Sequence, residues 1–297
     1  MNLRPTLLDG IVGQKKVKDI LNISLTACRK LKEQFPHSLF YGPPGTGKTT
    51  FAQAIANETG SRIEIGNGAN IRSVKSLLPY LMRISKGSIL FIDEIHRLPI
   101  NVSEFLYVAV EENRIDLGKE NKITIHIPEF TFIGATTNVG SIPKPLFDRF
   151  TLKLSLELYS DIEMFDIVSR NAEKMKINIT DSAKSIIAKS SRKTPRIANH
   201  RLNWARHYSV SKNIPIIKES DIINILDLEG VDKNGITIND KKYLEAVNRL
   251  QPAGIGTISS AIDIPKDTIE NTIEPFLMSL RLIKKTTKGR ILCKYQN

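Results

Sequence analysis

The stretch GPPGTGKTT at residues 42–50 constrains the fold of this chain more than any other. It follows the apolar run SLFY and precedes FAQAIANETG, so the sequence predicts a strand, a tight turn and a helix in succession. Gly42, Gly47, Lys48 and Thr49 match the phosphate-binding pattern G-x-x-x-x-G-K-[ST]. Glycines let backbone N–H groups turn towards phosphate oxygens at the positive end of the helix. The alternative interpretation is a chance glycine-rich turn.

The spacing assigns roles within this loop. Lys48 would lie on the β- and γ-phosphates of ATP, and Thr49 would hold Mg²⁺. The other loop residues predicted to contact the nucleotide are Gly42, Gly45, Thr46, Gly47 and Thr50.

A second motif, SILFIDE, supplies the acids that hydrolysis needs. Its apolar residues place Asp93 at the C-terminal end of a buried strand, where open α/β sheets bind ligands. Asp93 would support Mg²⁺ and Glu94 would polarise the attacking water. The alternative is an acidic turn after a strand. His96 is either a contact to these acids or a residue that packs the loop.

Two further segments predict residues that respond to the phosphate. FTFIGATTN ends in small polar residues, and Thr137, with Asn138 second, is predicted to report on the γ-phosphate, unless these residues only cap the strand. In KPLFDRF, Arg149 would stabilise charge on the transferring phosphate of a neighbouring subunit, unless it forms a surface salt bridge. The first interpretation of Arg149 predicts an oligomer with sites at its interfaces.

Strands and helices alternate from Leu39 to about Phe150, which predicts an α/β layer with a parallel sheet. The alternation breaks where RIDL and KITIHIP flank a GKEN turn. That pattern predicts a β-hairpin with Ile123, Ile125 and Ile127 on one face.

The rest of the chain predicts two smaller domains. Helical patterns run from about Asp161 to Asp227, with a break at Thr194, and three helices with two closing strands then suggest a winged helix-turn-helix. The predicted domains are residues 1–158, with the hairpin inserted at about 113–128, residues 159–232 and residues 233–297.

A formal net charge of +12 favours an anionic partner such as nucleic acid. The start of the chain has no apolar signal region, and no run reaches the ~18 apolar residues of a membrane span. Cys28 and Cys293 lie at opposite ends of the chain without CxxC spacing, so the sequence indicates neither a disulfide framework nor a thiolate zinc site. Two free cysteines fit a reducing compartment. The sequence therefore predicts a cytoplasmic protein with no membrane contact.

Basic residues cluster in two acid-free stretches. The first stretch contains Arg281, Lys284, Lys285, Lys288, Arg290 and Lys294. It predicts contacts to DNA phosphates without base readout, and the alternative interpretation is a solvated basic face. The second stretch, residues 182–218, contains Arg192, Lys193, Arg196, Arg201 and Arg206. Apart from Arg196, which is assigned to the nucleotide below, we interpret most of these as interface or solvent-exposed charges. Trp204 is predicted to pack in a core.

Taken in order, these motifs resemble the AAA+ ATPases, and more closely the RuvB family, the bacterial motors that drive Holliday-junction branch migration. The segments that carry the resemblance are LRPTLLDGIVGQKKVKDIL, FYGPPGTGKTT, LFIDEIHRL, FIGATTN, LFDRF, TPRIANHRL and DTIENTIEPFLMSLRLIKKTTKGR. The implied fold is an AAA+ P-loop domain with a parallel sheet, a small helical lid and a C-terminal winged helix.

The resemblance also implies residue roles and partners. Arg149 would be the arginine finger, and Arg196, after Pro195, would reach the nucleotide from the helical domain. The adenine pocket would be lined by Ile11, Val12 and Tyr159. Arg4, near the start of the chain, would also contact the nucleotide. The hairpin around Ile123–Ile127 would dock RuvA, the protein that holds the junction open, unless it packs on its own domain.

The sequence departs from the family pattern at several points. Phe147 and Asn138 stand where arginines are usual, Lys193 where glycine is common, and His200 where an arginine is usual. The family also usually has a longer N-terminal segment. These departures leave the predicted catalytic residues in place, and they bear on subunit coupling and partner docking.

The function predicted from the sequence is an ATP-driven motor, a ring around duplex DNA that is hexameric by resemblance and moves Holliday junctions irrespective of base sequence. The alternative is a winged-helix AAA+ switch of the initiator or loader type, which binds ATP and DNA without translocating. A protein unfoldase is disfavoured, since no aromatic loop for threading a substrate is evident.

Overall fold

A computed structural model of the protein describes residues 3–118 and 123–293. Residues 119–122, which include most of the GKEN turn, and Lys294 lie outside those residues. The described chain forms two compact units. The sheet unit comprises Arg4–Gly42 and Gly47–Glu157, and the helical unit comprises Leu3, Pro43–Thr46 and the described chain from Leu158.

The sheet unit contains a parallel five-stranded sheet in the order β2-β3-β6-β1-β7. Its elements, in chain order, are α1 (Lys15–Leu31), β1 (Ser38–Tyr41), α2 (Lys48–Thr59), β2 (Ile63–Asn67), α3 (Val74–Leu81), β3 (Ile89–Asp93), α4 (Ile100–Glu112), β4 (Arg114–Leu117), β5 (Ile123–His126), β6 (Thr131–Thr136), α5 (Lys144–Asp148) and β7 (Leu152–Ser155).

Both faces of the sheet are covered, as its nearly continuous apolar strands predict. On β1, Leu39 belongs to a buried cluster with residues of α3 and α4, whereas Phe40 belongs to a cluster with residues of α1 and α2. Successive side chains of a strand point to opposite faces, so this one strand contributes side chains to both buried clusters. Because the strands are parallel, Gly42 and Asp93, at the ends of β1 and β3, emerge at the same edge of the sheet.

The predicted hairpin is confirmed: β4 and β5 pair antiparallel. Ile127 is buried and Ile125 packs against the sheet-unit core, whereas Ile123 is 63% exposed. The interpretation that the hairpin packs on its own domain therefore holds for Ile127 and Ile125, and docking of RuvA on the hairpin stays a prediction. The end of the hairpin nearest β6 packs on its own unit, and the side chain of Ile123 faces solvent.

The helical unit contains two helical groups and a two-stranded wing. Its elements are α6 (Asp161–Lys174), α7 (Asp181–Ser190), α8 (Pro195–Ser211), α9 (Glu219–Glu229), α10 (Ile238–Leu250), α11 (Ile255–Ile262), α12 (Lys266–Thr268), a π-helical turn (Ile269–Ile273), α13 (Glu274–Ser279), β8 (Ile283–Thr286) and β9 (Gly289–Leu292).

Local sequence sets where these helices begin. Ser160 accepts the backbone N–H of Glu163, whose carboxylate accepts the N–H of Ser160, and this capping box starts α6. Thr237 and Asp240 form the same motif at α10. Pro195 occupies the first turn of α8, which explains the predicted break at Thr194.

Two features of the helical unit go beyond the sequence expectations. Trp204 is 43% exposed, so the prediction that it packs in a core was wrong. The wing is anchored to the winged-helix body, because the backbones of Ala253 and Arg290 exchange hydrogen bonds of 2.8 and 3.3 Å. No helix in the described part of the chain is both long and apolar enough to span a membrane.

Candidate nucleotide site and nucleic-acid interface

The loop after β1 has the backbone that the motif requires. Gly42 has a φ of +138°, and a Cβ atom placed on it would lie 2.1 Å from the carbonyl oxygen of Leu156, so only glycine fits. Lys48 begins α2 and is only 7% exposed. Its Nζ donates to the carbonyl oxygen of Gly42 at 2.8 Å, which places the ammonium group inside the loop.

Thr49 and Asp93 meet at the edge of the sheet. The Oγ1 atom of Thr49 lies 3.3 Å from Oδ2 of Asp93, although 44 residues separate them in the chain. The other carboxylate oxygen of Asp93 accepts the backbone N–H of Glu94 at 2.9 Å. A hydroxyl and a carboxylate are the oxygen donors that Mg²⁺ prefers. The described residues include no cluster of three or more His, Cys, Asp and Glu side chains suited to a metal, so phosphate and water would have to complete the coordination.

Glu94 follows Asp93 in a left-handed conformation, with a φ of +50°. Its carboxylate lies 3.5 Å from Nε2 of His96, and Nδ1 of His96 lies 2.9 Å from the hydroxyl of Thr136. These contacts favour the first interpretation of His96, a contact to the acids. A residue in a strained backbone region is typical of a site whose surroundings fix its position.

The last strand residue of β6 is Thr136, which is fully buried. Its hydroxyl accepts the N–H of Asn138 at 2.9 Å as well as contacting His96. Thr137 is half-buried beyond the strand, and its predicted role as a γ-phosphate sensor stays a prediction. Sequence reasoning missed Thr136, because in a strand ending ATT the alternation of side chains cannot be phased without the register.

Arg149 lies at the end of α5 and contacts two residues of α4. Its Nη1 forms a 2.6 Å ion pair with Glu111, and its Nη2 donates to the hydroxyl of Tyr107 at 3.0 Å. The hydrogen bond to Tyr107, together with nearby acidic charge, raises the pKa of Arg149. The salt bridge of the alternative interpretation is therefore present, and 37% of the side chain is still exposed.

The tip of the phosphate loop, Pro43–Thr46, belongs to the helical unit. The hydroxyl of Tyr159 donates to the carbonyl oxygen of Thr46 at 3.1 Å, and both residues are buried. A Cβ atom on Gly45, which has a φ of +80°, would lie 3.3 Å from the Cβ atoms of Thr194 and Arg196. The structure thus brings the loop tip beside the start of α8, where Arg196 has an exposed side chain.

The remaining predicted nucleotide contacts are distributed over the two units. In the sheet unit, Ile11 is buried, Val12 and Thr50 are half-buried, and Arg4 is exposed. In the helical unit, Pro195 is half-buried in the first turn of α8. The predicted role of Ile11, Val12 and Tyr159 in binding adenine stays a prediction.

The basic residues of the wing fall into two groups. Arg281, Lys284 and Lys288 have exposed side chains. Lys285 and Arg290 instead bind Glu274, a fully buried residue of α13, at 2.7 and 2.8 Å. The side chain of Lys285 is still 44% exposed, whereas that of Arg290 is 14% exposed.

Glu274 is the centre of a buried network. It also accepts the hydroxyl of Tyr243 at 2.8 Å. Burial alone would raise the pKa of Glu274, but hydrogen bonds from Arg290, Lys285 and Tyr243 outweigh burial and lower it. The bond to Glu274 raises the pKa of Arg290, and burial raises that of Tyr243. Arg290 therefore stabilises the wing from within, whatever contact it makes with DNA.

Two arginines of the second acid-free stretch are buried, contrary to prediction. Arg192 pairs with Asp240 of α10, and Arg201 lies 3.6 Å from Glu229. Burial lowers the pKa of Arg201 to about 10, against the opposing effect of Glu229. Their acidic partners lie 48 and 28 residues away, and nothing in the local sequence indicates them.

Three family models together match almost the whole chain. The P-loop domain of the Holliday junction DNA helicase RuvB matches residues 3–156, the RuvB AAA lid domain residues 159–232, and the RuvB C-terminal winged helix domain residues 233–295. The chain belongs to the RuvB family.

RuvB proteins of several bacteria are similar over nearly the full length. The Holliday junction branch migration complex subunit RuvB of Rhodopirellula baltica is 40% identical, over 98% of this chain and 82% of the relative. The same subunit from Campylobacter fetus is 41% identical, over 98% of this chain and 87% of the relative. The solved structure of the Thermotoga maritima RuvB Holliday junction branch migration motor matches with a TM-score of 0.89 at 34% identity, over 98% of this chain and 96% of that one.

Membership of the RuvB family confirms the predicted fold class: a P-loop domain with a parallel sheet, an AAA lid and a winged helix. The lid is the group of helices α6–α9, and the winged helix is the chain from α10 to β9 together with the loop that leads into α10.

The structure shows the surroundings of the residues that depart from the expected RuvB pattern. Lys193 has a φ of +55°, a conformation that favours the glycine common at this position. Phe147 packs against the sheet-unit core, and the ammonium group of Lys153 lies 4.5 Å from its ring centroid. At His200, Nδ1 lies 3.7 Å from Glu229, but most of the side chain is exposed. Asn138 is exposed beyond β6, and nothing in the structure explains its replacement of arginine.

Proposed function

We propose that this protein is an ATP-driven motor that moves Holliday junctions along DNA as part of a branch migration complex. The observation that carries the proposal is the contact between Thr49 and Asp93, at 3.3 Å, in a RuvB-family chain. It joins the phosphate loop to the acid motif at one edge of the sheet, which is the arrangement that phosphoryl transfer requires.

ATP with Mg²⁺ is the proposed nucleotide. Lys48, held inside the loop, would bind the β- and γ-phosphates, and Thr49 and Asp93 offer oxygen donors to the ion. When bound, Mg²⁺ withdraws charge from the phosphate oxygens. Glu94 would orient the attacking water and accept its proton. The contact of Glu94 with His96 supports this role, because it fixes the carboxylate beside Asp93.

Residues of the helical unit are also proposed to contact the nucleotide. Arg196 is proposed to contact the phosphates, and its position beside the loop tip supports this, since its Cβ atom would be 3.3 Å from one on Gly45. Tyr159, bonded to Thr46, would flank the adenine with Ile11 and Val12. Arg4 and Thr137 are further proposed contacts to the nucleotide.

A homo-oligomeric ring, hexameric by family resemblance, is the proposed assembly. Arg149 of one subunit would stabilise charge on the phosphate bound by the next. An arginine supplied by a neighbouring subunit accelerates hydrolysis by about 10³- to 10⁵-fold. The support here is that Tyr107 and Glu111 hold the guanidinium of Arg149 while leaving part of the side chain exposed.

DNA would be bound through the backbone by the exposed cations of the winged helix. Arg281, Lys284 and Lys288 are the strongest candidates, because their side chains are exposed. Lys285 can turn to DNA at the expense of its ion pair with Glu274. Arg290 would act mainly by fixing the wing. Contacts of this kind are independent of base sequence and weaken with salt.

RuvA is the proposed protein partner, and the hairpin strand β5 its docking element. The support is that Ile123 exposes an apolar side chain at a position that its own unit does not cover. A single exposed isoleucine is a small contact, so the hairpin would need neighbouring polar groups as well.

Subunit complementation tests the proposal sharply. Lys48→Ala should abolish nucleotide binding, and Arg149→Ala should retain binding but lose turnover. Each variant alone should be inactive. A mixture should recover part of the ATPase activity, because a Lys48→Ala subunit still supplies Arg149 to an intact nucleotide site in its neighbour. No recovery, with mixed rings present, would contradict catalysis between subunits.

Junction DNA distinguishes the motor from an ATP-dependent binding switch. A motor separates the strands of a four-way junction in the presence of ATP and the junction-binding partner, and Glu94→Gln blocks that separation while preserving nucleotide binding. A switch shows ATP-stabilised DNA binding without strand separation. The second result with the unmodified protein would overturn the proposed function.

A further inference from the structure

Arg192 is a buried arginine that the proposed ATPase mechanism does not use. It lies in the lid, between α7 and α8, and its side chain is 9% exposed. Its guanidinium pairs with Asp240 and donates to the carbonyl oxygens of Gly235 at 3.3 Å and Thr272 at 2.9 Å. It also lies over the ring of Phe276, 4.1 Å from the centroid. Every one of these partners belongs to the winged helix.

Asp240 is equally committed to this contact. It is fully buried, and its carboxylate also accepts the N–H and the hydroxyl of Thr237, each at 2.7 Å. One carboxylate therefore caps α10 and binds the lid arginine. A buried charge pair whose hydrogen bonds are all satisfied tolerates little displacement, because movement leaves both charges unsolvated.

The contact continues towards the DNA-binding wing. Thr272 and Phe276 flank Glu274, whose carboxylate binds Lys285 and Arg290 of the wing. A chain of contacts thus runs from the lid, through the start of α13, to both wing strands.

On its other side, Arg192 is close to the proposed nucleotide contacts. The carbonyl oxygen of Lys193 accepts the N–H of Tyr159 at 3.0 Å, and Arg196 follows three residues later. Arg192 and Lys193 both have left-handed backbones, with φ values of +52° and +55°. Two adjacent non-glycine residues hold this conformation only where the surroundings determine it.

We propose that Arg192 is a positioning residue that fixes the winged helix to the lid, so that movement of the lid during the ATP cycle is carried to the DNA-binding wing. The inference rests on the proposed function and adds the residue that couples its two halves. Without Arg192, the lid could respond to nucleotide while the wing no longer followed it.

The test compares variants of the full-length protein assembled with its junction-binding partner. Arg192→Met removes the hydrogen bonds but leaves Asp240 as an unpaired buried charge. The double variant Arg192→Met with Asp240→Asn removes both charges and is the fallback if the single variant does not fold. Arg206→Met, an exposed arginine on α8, is the matched control.

The decisive readout is the extent of branch migration per ATP hydrolysed. In the Arg192 variants we expect this ratio to fall about tenfold, within the range of typical coupling free energies. The affinities for ATP and for duplex DNA should stay at the parent's values, and amide exchange at the start of α10 should rise. Arg192→Lys keeps the charge without the planar fork, so it should recover part of the ratio.

Other outcomes would overturn the inference. An unchanged ratio in a variant whose amide exchange has risen would show that the wing follows the lid without this contact. Failure of all the Arg192 variants to fold, with Arg206→Met intact, would assign Arg192 to folding rather than to coupling. If the parent itself cannot move junctions with ATP, the proposed function fails first, and the inference fails with it.

Discussion

The buried network around Glu274 supports a quantitative prediction about the winged helix. Glu274→Gln keeps the shape of the side chain but removes the charge that Arg290, Lys285 and Tyr243 bind. Lys285 is 44% exposed and can turn to water, so its bond contributes about 0–1 kcal/mol. Arg290 is only 14% exposed and would remain largely shielded from water beside an amide. Charge-assisted bonds contribute about 1.5–3 kcal/mol each, so we expect a total loss of about 3 kcal/mol.

The assay is amide hydrogen exchange of winged-helix peptides as a function of urea. It resolves this domain, whereas whole-chain unfolding of a multidomain protein is not two-state. Glu270→Gln is the matched control, because Glu270 is 46% exposed and contacts only the outer nitrogen of Arg290, at 3.4 Å. The control should change stability by less than about 0.5 kcal/mol. Equal effects of the two substitutions would refute the reasoning.

The effect should also depend on pH, with a definite sign. The pKa of Glu274 is lowered in the folded protein from its ordinary value of 4.5. Its contribution to stability is therefore complete above that ordinary value and is lost as the pH falls through the lowered folded pKa. The gap in stability between the parent and Glu274→Gln should narrow on acidification below pH 4.5. A gap that widened instead would contradict the network.

Three further predictions concern other parts of the chain. Lys193→Gly should stabilise the lid by about 0.5–1 kcal/mol, because relief of the left-handed backbone exceeds the added chain entropy. Amide hydrogen exchange of lid peptides as a function of urea measures this, and destabilisation would contradict it. Tyr107→Phe should lower the turnover of the assembled ring roughly fivefold by removing one bond to Arg149, and an unchanged kcat would rule out the positioning role. Lys288→Gln should reduce the slope of log K for junction DNA against log salt by about 0.9, whereas a residue remote from phosphate would leave it unchanged.

Local chemistry in the sequence is enough to predict the centre of the site. The strand, turn and helix around Lys48 follow from glycines and apolar runs, and Asp93 follows from an acid at the end of a buried strand. Parallel strands bring such ends to one edge, so the contact between Thr49 and Asp93 is predictable in kind, although its 3.3 Å distance is not.

Partners distant in sequence cannot be predicted in the same way. The sequence shows that Arg290 and Arg192 are charged, but it does not show that Glu274 and Asp240 bind them 16 and 48 residues away. From composition alone, both arginines would be predicted to lie on the surface. Burial decides the role of an arginine, and burial is set by how helices pack.

The end of β6 shows a different limit. Two threonines follow one another there, and a shift of one residue exchanges the side chain that faces inward for the one that does not. The structure gives the inward position to Thr136, which contacts His96. Phasing a strand end requires its hydrogen-bond register, which pairs β6 with β1 and β3.

The mixed exposure of the hairpin isoleucines affects how a partner would bind. With Ile127 and Ile125 already packed in the core, the strand that carries Ile123 is preorganised before any encounter. Association at Ile123 would then lose little conformational entropy in that strand, and a small apolar contact could hold a partner that a flexible peptide of the same composition could not. Because the strand packs on the sheet unit through Ile125 and Ile127, a partner bound at Ile123 would move with that unit.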